Sequence, residues 1–257
     1  MDLKDKVAII TGGNGGIGRA MAHEFLNEGA KGVVISDLDP DQVQHVSNKL
    51  GCLGFAADVT KESEVKALVD CAVSHYGQVD LYCSNAGALS KGGLLLDAPD
   101  ELWQSQWEVH VMAHIYAARA CLPSMIARGN GYFLITASAA GLLAAMGTGP
   151  YTVSKAAAVK LAEFMAITHG DDGIKVSVLC PQGVNTAMAP RSLGDGQTDG
   201  VIEPEQLAKT VVDTLNEERF HVLPHPEVEE YVRRKGNDID RWLAGMRRLR
   251  QRSLNKN

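Results

Sequence analysis

The chain has 257 residues, a formal net charge of −6 and 22% charged residues. This length suits one α/β domain with a large buried core, and the charge balance gives no reason to expect a nucleic-acid partner. The five cysteines form no CxxC pair and no metal-ligand spacing, which predicts a reducing, cytoplasmic compartment and no metal site. The N-terminal residues lack the apolar stretch of a signal peptide.

Strand-like and helical patterns alternate along most of the chain. After a first strand at 7–10 and its helix, strands are predicted near 32–36, 53–57, 79–83, 132–137, 174–180 and 219–223, and helices near 40–50, 61–76, 101–128, 152–169 and 204–217. This alternation predicts the fold class as α/β, with one doubly wound parallel sheet and helices on both of its faces.

A glycine-rich loop, Thr11 to Gly18, follows the first strand directly and precedes a helical pattern. A strand, a glycine loop and a helix in this order favour a Rossmann-type dinucleotide site over a merely flexible turn. Glycines let the backbone approach a pyrophosphate, and the helix N-terminus supplies amides and a dipole. The cofactor-binding residues expected in the loop are Gly12, Asn14, Gly15, Gly16, Ile17 and Gly18.

An acidic residue, Asp37, closes the second predicted strand about 20 residues after Gly18. A carboxylate at this distance hydrogen-bonds the adenosine ribose and repels a 2′-phosphate. No lysine or arginine precedes Arg19 in the loop, so NAD is the predicted cofactor. In the alternative interpretation, Asp37 and Asp39 only begin the next turn.

Tyr151 and Lys155 are spaced to share one face of a helix, where the ammonium can favour the phenolate form of the tyrosine. A tyrosine so activated can act as general base towards an alcohol. Ser138 ends the apolar run 132–138, at a strand end that faces the ligand crevice. By itself, however, YxxxK is also typical of an ordinary surface helix.

Six motifs stand in an order that resembles the single-domain, NAD(P)-dependent form of the short-chain dehydrogenase/reductase family. They are the glycine loop, Asp58-Val59, Ser84-Asn85-Ala86-Gly87, Ser138, Tyr151 with Lys155, and Pro181 to Thr186. The resemblance implies that Asp58 and Val59 contact adenine. It further implies that Asn85, Ala86 and Gly87 form the cofactor floor, and that Val184 and Thr186 hold the carboxamide.

The same resemblance implies the catalytic roles. Ser138 would hydrogen-bond the substrate oxygen, Tyr151 would take its proton, and Lys155 would bind the nicotinamide ribose and lower the tyrosine pKa. Three positions depart from the family pattern: Ser84 replaces an asparagine, Gln182 replaces a glycine, and His110 replaces the asparagine of the proton relay. We expect His110 to be neutral and to hold the relay water; alternatively, it only packs in its helix.

The predicted function is NAD-dependent interconversion of a secondary alcohol and its ketone. The alternatives are a sugar-nucleotide epimerase or dehydratase, which needs a larger C-terminal domain, and a nucleotide-binding regulator or weakly active homologue. The expected pocket is apolar, with Gln182 as a polar point, and includes Ala139, Ala140, Leu142, Leu143, Met146 and Met188. Only Arg191 offers a carboxylate partner there, so hydrophobic alcohols are predicted over small hydroxy acids.

We predict a catalytic domain at 1–226, with a lid near 187–203, and a basic amphipathic helical tail at 227–257. The apolar stripe of the tail comprises Ile239, Trp242, Leu243, Met246 and Leu249. It is expected to pack on its own domain or on a neighbouring subunit; binding to an anionic membrane is the alternative. The apolar helices 101–128 and 152–169 predict a homodimer or homotetramer.

Overall fold

Nine strands occur in the described part of the chain, which in this computed structural model comprises residues 1–89, 93–188 and 199–254. They are β1 Val7–Thr11, β2 Gly32–Asp37, β3 Leu53–Ala56, β4 Leu81–Ser84, β5 Gly131–Thr136, β6 Ile174–Leu179, β7 Gly183–Val184, β8 Val201–Ile202 and β9 His221–Val222. Seven form a parallel sheet in the order β3-β2-β1-β4-β5-β6-β9, and β7 pairs with β8. The predicted doubly wound sheet is confirmed.

Ten α-helices connect and follow these strands in the same described ranges. They are α1 Gly16–Asn27, α2 Pro40–Leu50, α3 Glu62–Tyr76, α4 Asp100–Trp107, α5 Ala113–Arg128, α6 Ala139–Leu143, α7 Gly149–His169, α8 Pro204–Glu217, α9 Glu227–Asn237 and α10 Ile239–Leu254. The single helix expected at 101–128 is α4 and α5 joined by a π-helical segment, Glu108–Met112. Such segments widen the backbone locally and are frequent at functional sites.

The central strands are buried on both faces, which explains why they read as continuous apolar runs. One face carries Tyr82 and Phe133, whose rings stack 5.5 Å apart under residues of α3, α5 and α7. The opposite face carries Ile10 and Leu134 under α1 and α8. Apolar side chains therefore pack on both faces of the sheet and hold the ends of its strands in place.

The order of the strands reverses between β1 and β4, which are parallel neighbours with Ile9 in register with Tyr82. At such a switch point the loops leaving the carboxyl ends of the strands turn apart and leave a crevice. The glycine loop follows β1, Asn85 follows β4 and Ser138 follows β5. The topology thus brings distant motifs to one edge of the sheet.

The C-terminal region consists of two helices rather than one. In α9, the Lys235 ammonium donates to the carbonyl of Leu142 in α6, and Tyr231 donates to Asp199. Most of the lid predicted at 187–203 lies outside the described residues, as does Arg191. No helix in the described ranges is long and apolar enough to cross a membrane. The boundary at residue 226 stays a prediction.

Candidate active site

The glycine loop fits closely against the strand end beside it. Gly12 has a φ of +69°, and a Cβ there would lie 3.0 Å from Cα of Ala86. A Cβ on Gly18 would lie 2.2 Å from the carbonyl oxygen of Gly12, so the first turn of α1 requires glycine at this position. The amide of Gly15 donates to the same carbonyl oxygen over 3.1 Å.

The N-terminus of α1 has the features of a nucleotide phosphate site. The first-turn amides of a helix have no intrahelical acceptor, and the helix dipole favours an anion beside them. Asn14 Oδ1 is buried and has no hydrogen-bond partner in the described part of the chain; as an acceptor it suits a hydroxyl group of the nucleotide and not a phosphate oxygen. A Cβ on Gly16 would lie 2.8 Å from Thr186 Cγ2, so Thr186 borders the same space. A dinucleotide fits this cradle of small residues and open donors, while Ile17 packs into the core.

The two predicted adenosine contacts lie at neighbouring strand ends. Asp37 Oδ2 accepts from the amide of Asn14 over 2.9 Å, and its Oδ1 accepts from the amide of Leu38 over 2.9 Å. Asp58 follows β3 and accepts from the amide and hydroxyl of Thr60. Burial works against ionisation of Asp58, but these hydrogen bonds and the Lys61 ammonium hold its pKa below the usual value. Val59 beside it is buried.

The floor of the crevice is held by the side chain of Asn85. Its Nδ2 donates to the carbonyl of Thr11 over 2.9 Å, and its Oδ1 accepts from Thr136 Oγ1 over 3.0 Å. These bonds link the ends of β1, β4 and β5. Both ends of the amide are therefore used within the protein, and Ala86 and Gly87 continue the floor as backbone.

Ser138, Tyr151 and Lys155 converge at the carboxyl end of β5. Ser138 caps α6, where its Oγ accepts from the amide of Ala140 over 3.1 Å. Tyr151 lies in the first turn of α7, and Lys155 follows one turn later. The Lys155 side chain is buried, its Nζ donates to the Thr136 carbonyl over 2.9 Å, and Nζ lies 5.8 Å from the Tyr151 ring centre.

Burial controls the ionisation of both residues of the YxxxK pair. It lowers the pKa of Lys155 to about 7 and raises the pKa of Tyr151, although a hydrogen bond with Ser138 lowers the tyrosine value in part. The expected lowering of the Tyr151 pKa by Lys155 is therefore wrong for the protein alone. The low-dielectric surroundings disfavour phenolate and ammonium together.

His110 lies in the π-helical segment, and both of its ring nitrogens have protein partners. The amide of Ala88 donates to Nε2 over 3.1 Å, so the proton of a neutral ring resides on Nδ1. Nδ1 lies 2.9 Å from Ser154 Oγ, and the Ser154 hydroxyl donates to the Tyr151 carbonyl over 3.0 Å. Burial, reinforced by Lys155, lowers the pKa of His110 to about 2.

The predicted neutrality of His110 agrees with this pKa, but the predicted water-holding role does not agree with the geometry. A ring whose two nitrogens already bond Ala88 and Ser154 has no nitrogen left to hold a relay water. Its edge packs against the Tyr151 ring, with centroids 5.4 Å apart. His110 therefore ties the loop after β4 to the catalytic helix.

Sequence reasoning missed a second buried histidine, His114. Its Nδ1 lies 2.6 Å from Ser84 Oγ, which explains the serine at a position where an asparagine was expected. Its Nε2 has no partner within the described ranges, and burial lowers its pKa to about 3. The spacing of His110 and His114 places both on one helix face, a signal that could have revealed the pair.

The predicted substrate pocket is only partly assembled by the described residues. Ala139 is buried and Leu142 packs against the core, whereas Met188 is half exposed. Met146 lines a cavity together with α10. Gln182 Nε2 donates to Asp199 Oδ2 over 2.8 Å, and Val184 is buried in β7. The position of Arg191 lies outside the described residues.

Comparison with known proteins decides the family. The model of the short chain dehydrogenase family matches residues 6–195. This chain belongs to that family. A 1-deoxy-11-beta-hydroxypentalenate dehydrogenase of Streptomyces exfoliatus is 33% identical over 95% of this chain and 92% of its own length. The 3beta-hydroxysteroid dehydrogenase 2 of Eggerthella lenta is 32% identical over 72% of this chain and 73% of its own.

Similar solved structures support the same family assignment. A short chain dehydrogenase/reductase from Burkholderia phymatum, in complex with NAD, has a TM-score of 0.84 and 28% identity, covering 93% of this chain and 96% of that one. A 3-ketoacyl-(acyl-carrier-protein) reductase from Brucella melitensis, complexed with NADH, has a TM-score of 0.79 and 27% identity, covering 86% and 96%. These matches confirm the predicted family, and the protein is an oxidoreductase of the alcohol dehydrogenase/ketoreductase type.

The hydrogen bonds of His110 predict the effect of replacing it. His110→Ala removes the acceptor for Ala88 and the donor to Ser154, so kcat should fall about tenfold while the dissociation constant of NAD changes little. His110→Asn is the matched control, because an amide can both accept and donate. Because His110 does not titrate near neutral pH, the shape of the pH profile should stay the same. An alanine variant as fast as the parent, or a profile with a changed inflection, would contradict this role.

Proposed function

We propose that this enzyme interconverts a secondary alcohol and its ketone by hydride transfer to or from NAD. The observation that supports it is the convergence of Ser138, Tyr151 and Lys155 beside a glycine-loop cradle that fits a dinucleotide. The nicotinamide ring, when bound, supplies the hydride chemistry. The protein positions the substrate, excludes water and moves the proton.

Each catalytic side chain has a separate task in this proposal. Ser138 donates a hydrogen bond to the substrate oxygen, and Tyr151 takes the hydroxyl proton in oxidation or returns it in reduction. Lys155 binds the nicotinamide ribose, and in its protonated state the ammonium favours phenolate and so opposes the burial that raises the Tyr151 pKa. Because burial raises the Tyr151 pKa, alcohol oxidation should speed up with rising pH and ketone reduction should slow down.

The proposed cofactor contacts follow the crevice from end to end. The pyrophosphate is held by the loop residues Gly12, Asn14, Gly15, Gly16, Ile17 and Gly18. Asp37 binds the adenosine ribose, and Asp58 and Val59 contact the adenine. The floor under the cofactor consists of Asn85, Ala86 and Gly87, while Tyr151 and Lys155 bind the nicotinamide ribose and Val184 and Thr186 bind the carboxamide. The cradle around Gly18 supports the position of the pyrophosphate, and the unpartnered Asn14 Oδ1, an acceptor, can receive a hydrogen bond from a ribose hydroxyl.

NAD is proposed over NADP because of Asp37. In the described structure its carboxylate accepts only backbone amides and forms no ion pair, and the next side chain, Leu38, is 67% exposed. A 2′-phosphate at this place would face a carboxylate without a compensating cation.

The cofactor preference can be reversed by design. Asp37→Ser combined with Leu38→Arg removes the repelling carboxylate and adds a phosphate partner, so the ratio of kcat/KM for NAD to that for NADP should fall by about 100-fold or more. Asp39→Ser is the matched control, since Asp39 is also acidic but caps α2 through Asp41 and Gln42. Equal efficiency with both cofactors in the parent enzyme would refute the role given to Asp37.

We propose that the substrates are hydrophobic alcohols with ring systems. The support comes from the relatives' names, which denote a hydroxypentalenate, a hydroxysteroid and, in a mouse relative 29% identical over 86% of this chain, a retinol. The partly buried apolar side chain of Leu142, near Ser138, agrees with such a substrate.

Turnover of an alcohol panel with NAD tests the proposed function. Ring-containing secondary alcohols should react faster than lactate-sized hydroxy acids, and Tyr151→Phe should lower kcat by about 10²–10⁴-fold because it removes the proton acceptor. Tyr116→Phe, a tyrosine of α5 that contacts Arg119, is the matched control. Binding of NAD without turnover of any alcohol would favour the regulator alternative instead.

A homodimer or homotetramer in the cytoplasm completes the proposal. On α7, Val153, Phe164 and Ile167 are 49%, 62% and 83% exposed, and Trp107 at the end of α4 is 42% exposed. Apolar side chains this accessible favour burial against a second subunit. The free thiols, among them the buried Cys83, Cys121 and Cys180, support a reducing compartment.

A further inference from the structure

The first of the two C-terminal helices, α9, is hydrogen-bonded to two segments next to the proposed active site. On one side, Lys235 of α9 donates to the carbonyl of Leu142 in α6, the helix that Ser138 caps. On the other side, Tyr231 donates to Asp199 Oδ1 over 2.9 Å, while Asp199 Oδ2 accepts from Gln182. These bonds hold α9 beside α6 and Gln182, and α10 contacts α9 through Trp242, whose ring centroid lies 6.4 Å from that of Tyr231.

An open cavity of about 440 Å³ lies along α10, and Met146, from the segment that joins Ser138 to Tyr151, is its one lining residue outside that helix in the described part of the chain. Its lining residues are Met146, Asp240, Leu243, Met246, Arg247 and Arg250. The residue before Met146, Ala145, bonds the hydroxyl of Thr152 through its amide over 3.1 Å and through its carbonyl over 3.2 Å. One wall of the cavity is thereby fixed to the residue that follows Tyr151.

The chemistry of the lining is amphiphilic. Met146, Leu243 and Met246 give it an apolar surface, and Arg247 and Arg250 lie three residues apart on one face of α10. Neither arginine forms an ion pair within the described ranges. In contrast, Arg233 and Arg234 of α9 both pair with Glu230. The cavity thus presents two available guanidinium groups next to an apolar surface, against the single carboxylate of Asp240.

We propose that this cavity binds the carboxylate end of the substrate, which makes the substrate an apolar hydroxy or keto acid. The hydrocarbon body lies along Met146, Leu243 and Met246, while Arg247 and Arg250 hold the carboxylate, for which guanidinium is the best-matched partner. This inference depends on the proposed alcohol dehydrogenase function and narrows its substrate. It also places the carboxylate partner in the tail, where the sequence offered only Arg191.

A pair of substrates that differ only in charge tests the subsite. With NAD, a monohydroxylated bile acid should have a kcat/KM about tenfold above that of its methyl ester, mainly through KM. Arg247→Gln combined with Arg250→Gln should remove this preference by lowering kcat/KM for the acid to the value for the ester. Arg248→Gln combined with Arg252→Gln removes the same charge outside the cavity lining and should keep the preference.

The outcomes separate the subsite from the function. Equal kcat/KM for acid and ester in the parent, or a preference that survives in the Arg247/Arg250 variant, overturns the subsite while the enzyme function stands. If neither compound reacts, calorimetry of the acid with the protein–NAD complex decides. If the parent protein binds the acid and only the Arg247/Arg250 variant loses this binding, the subsite is supported, although the proposed dehydrogenase activity fails for these compounds. If the parent protein does not bind the acid, the subsite is overturned.

The membrane alternative for the basic tail has a distinct outcome. Vesicles of phosphatidylcholine and phosphatidylserine should not co-sediment with the parent protein under conditions in which the acid is preferred over the ester. If co-sedimentation requires Arg247 and Arg250, and kcat/KM is equal for the acid and the ester, these arginines bind an anionic membrane and the carboxylate subsite is overturned.

Discussion

The hydrogen bond between the buried Lys155 amine and the carbonyl of Thr136 joins α7 to the sheet. Thr136 is the last residue of β5, and Tyr151 stands one turn before Lys155 in α7. This contact therefore sets where the phenol lies relative to the strand ends that form the crevice. A lysine is rarely so fully buried, and its surroundings must tolerate the amine.

The surroundings of Lys155 meet this requirement by staying neutral. His110 and His114 lie on the neighbouring helical segment, and burial with the adjacent lysine keeps the pKa of each far below 6.5. A Cβ on Gly87 would lie 3.5 Å from Nζ of Lys155 and 3.3 Å from Nε2 of His110, so the loop after β4 encloses the same space. Two departures from the family pattern, His110 and Ser84, thus both belong to buried hydrogen-bond pairs, with Ser154 and with His114.

Much of the fold and of the cofactor crevice could be predicted from the sequence, because these features depend on short segments. Buried strands read as apolar runs, and the glycine loop needs its small residues at fixed places. The interruption of helix 101–128 at Glu108–Met112 has no signal in the apolar spacing, and only the structure shows that this segment brings His110 to the loop after β4. The raised Tyr151 pKa was missed because helix spacing gives the distance of a charge but not its desolvation. The cavity along α10 brings Met146 beside residues about one hundred positions later in the chain, which no local pattern reveals.

The pH dependence of unfolding tests the state of Lys155 most directly, with Lys155→Met as the reference. The folded-state pKa of about 7 lies below the unfolded value of about 10.4. Between these values the unfolded chain holds the extra proton, so the penalty for burying the ammonium is full below pH 7 and fades as pH rises. The unfolding free energy of the parent should therefore rise relative to Lys155→Met from pH 7 to 10, by at most about 1.4 kcal/mol per pH unit. Parallel curves for the two proteins over this range would show that the lysine titrates normally and is not buried in the way described.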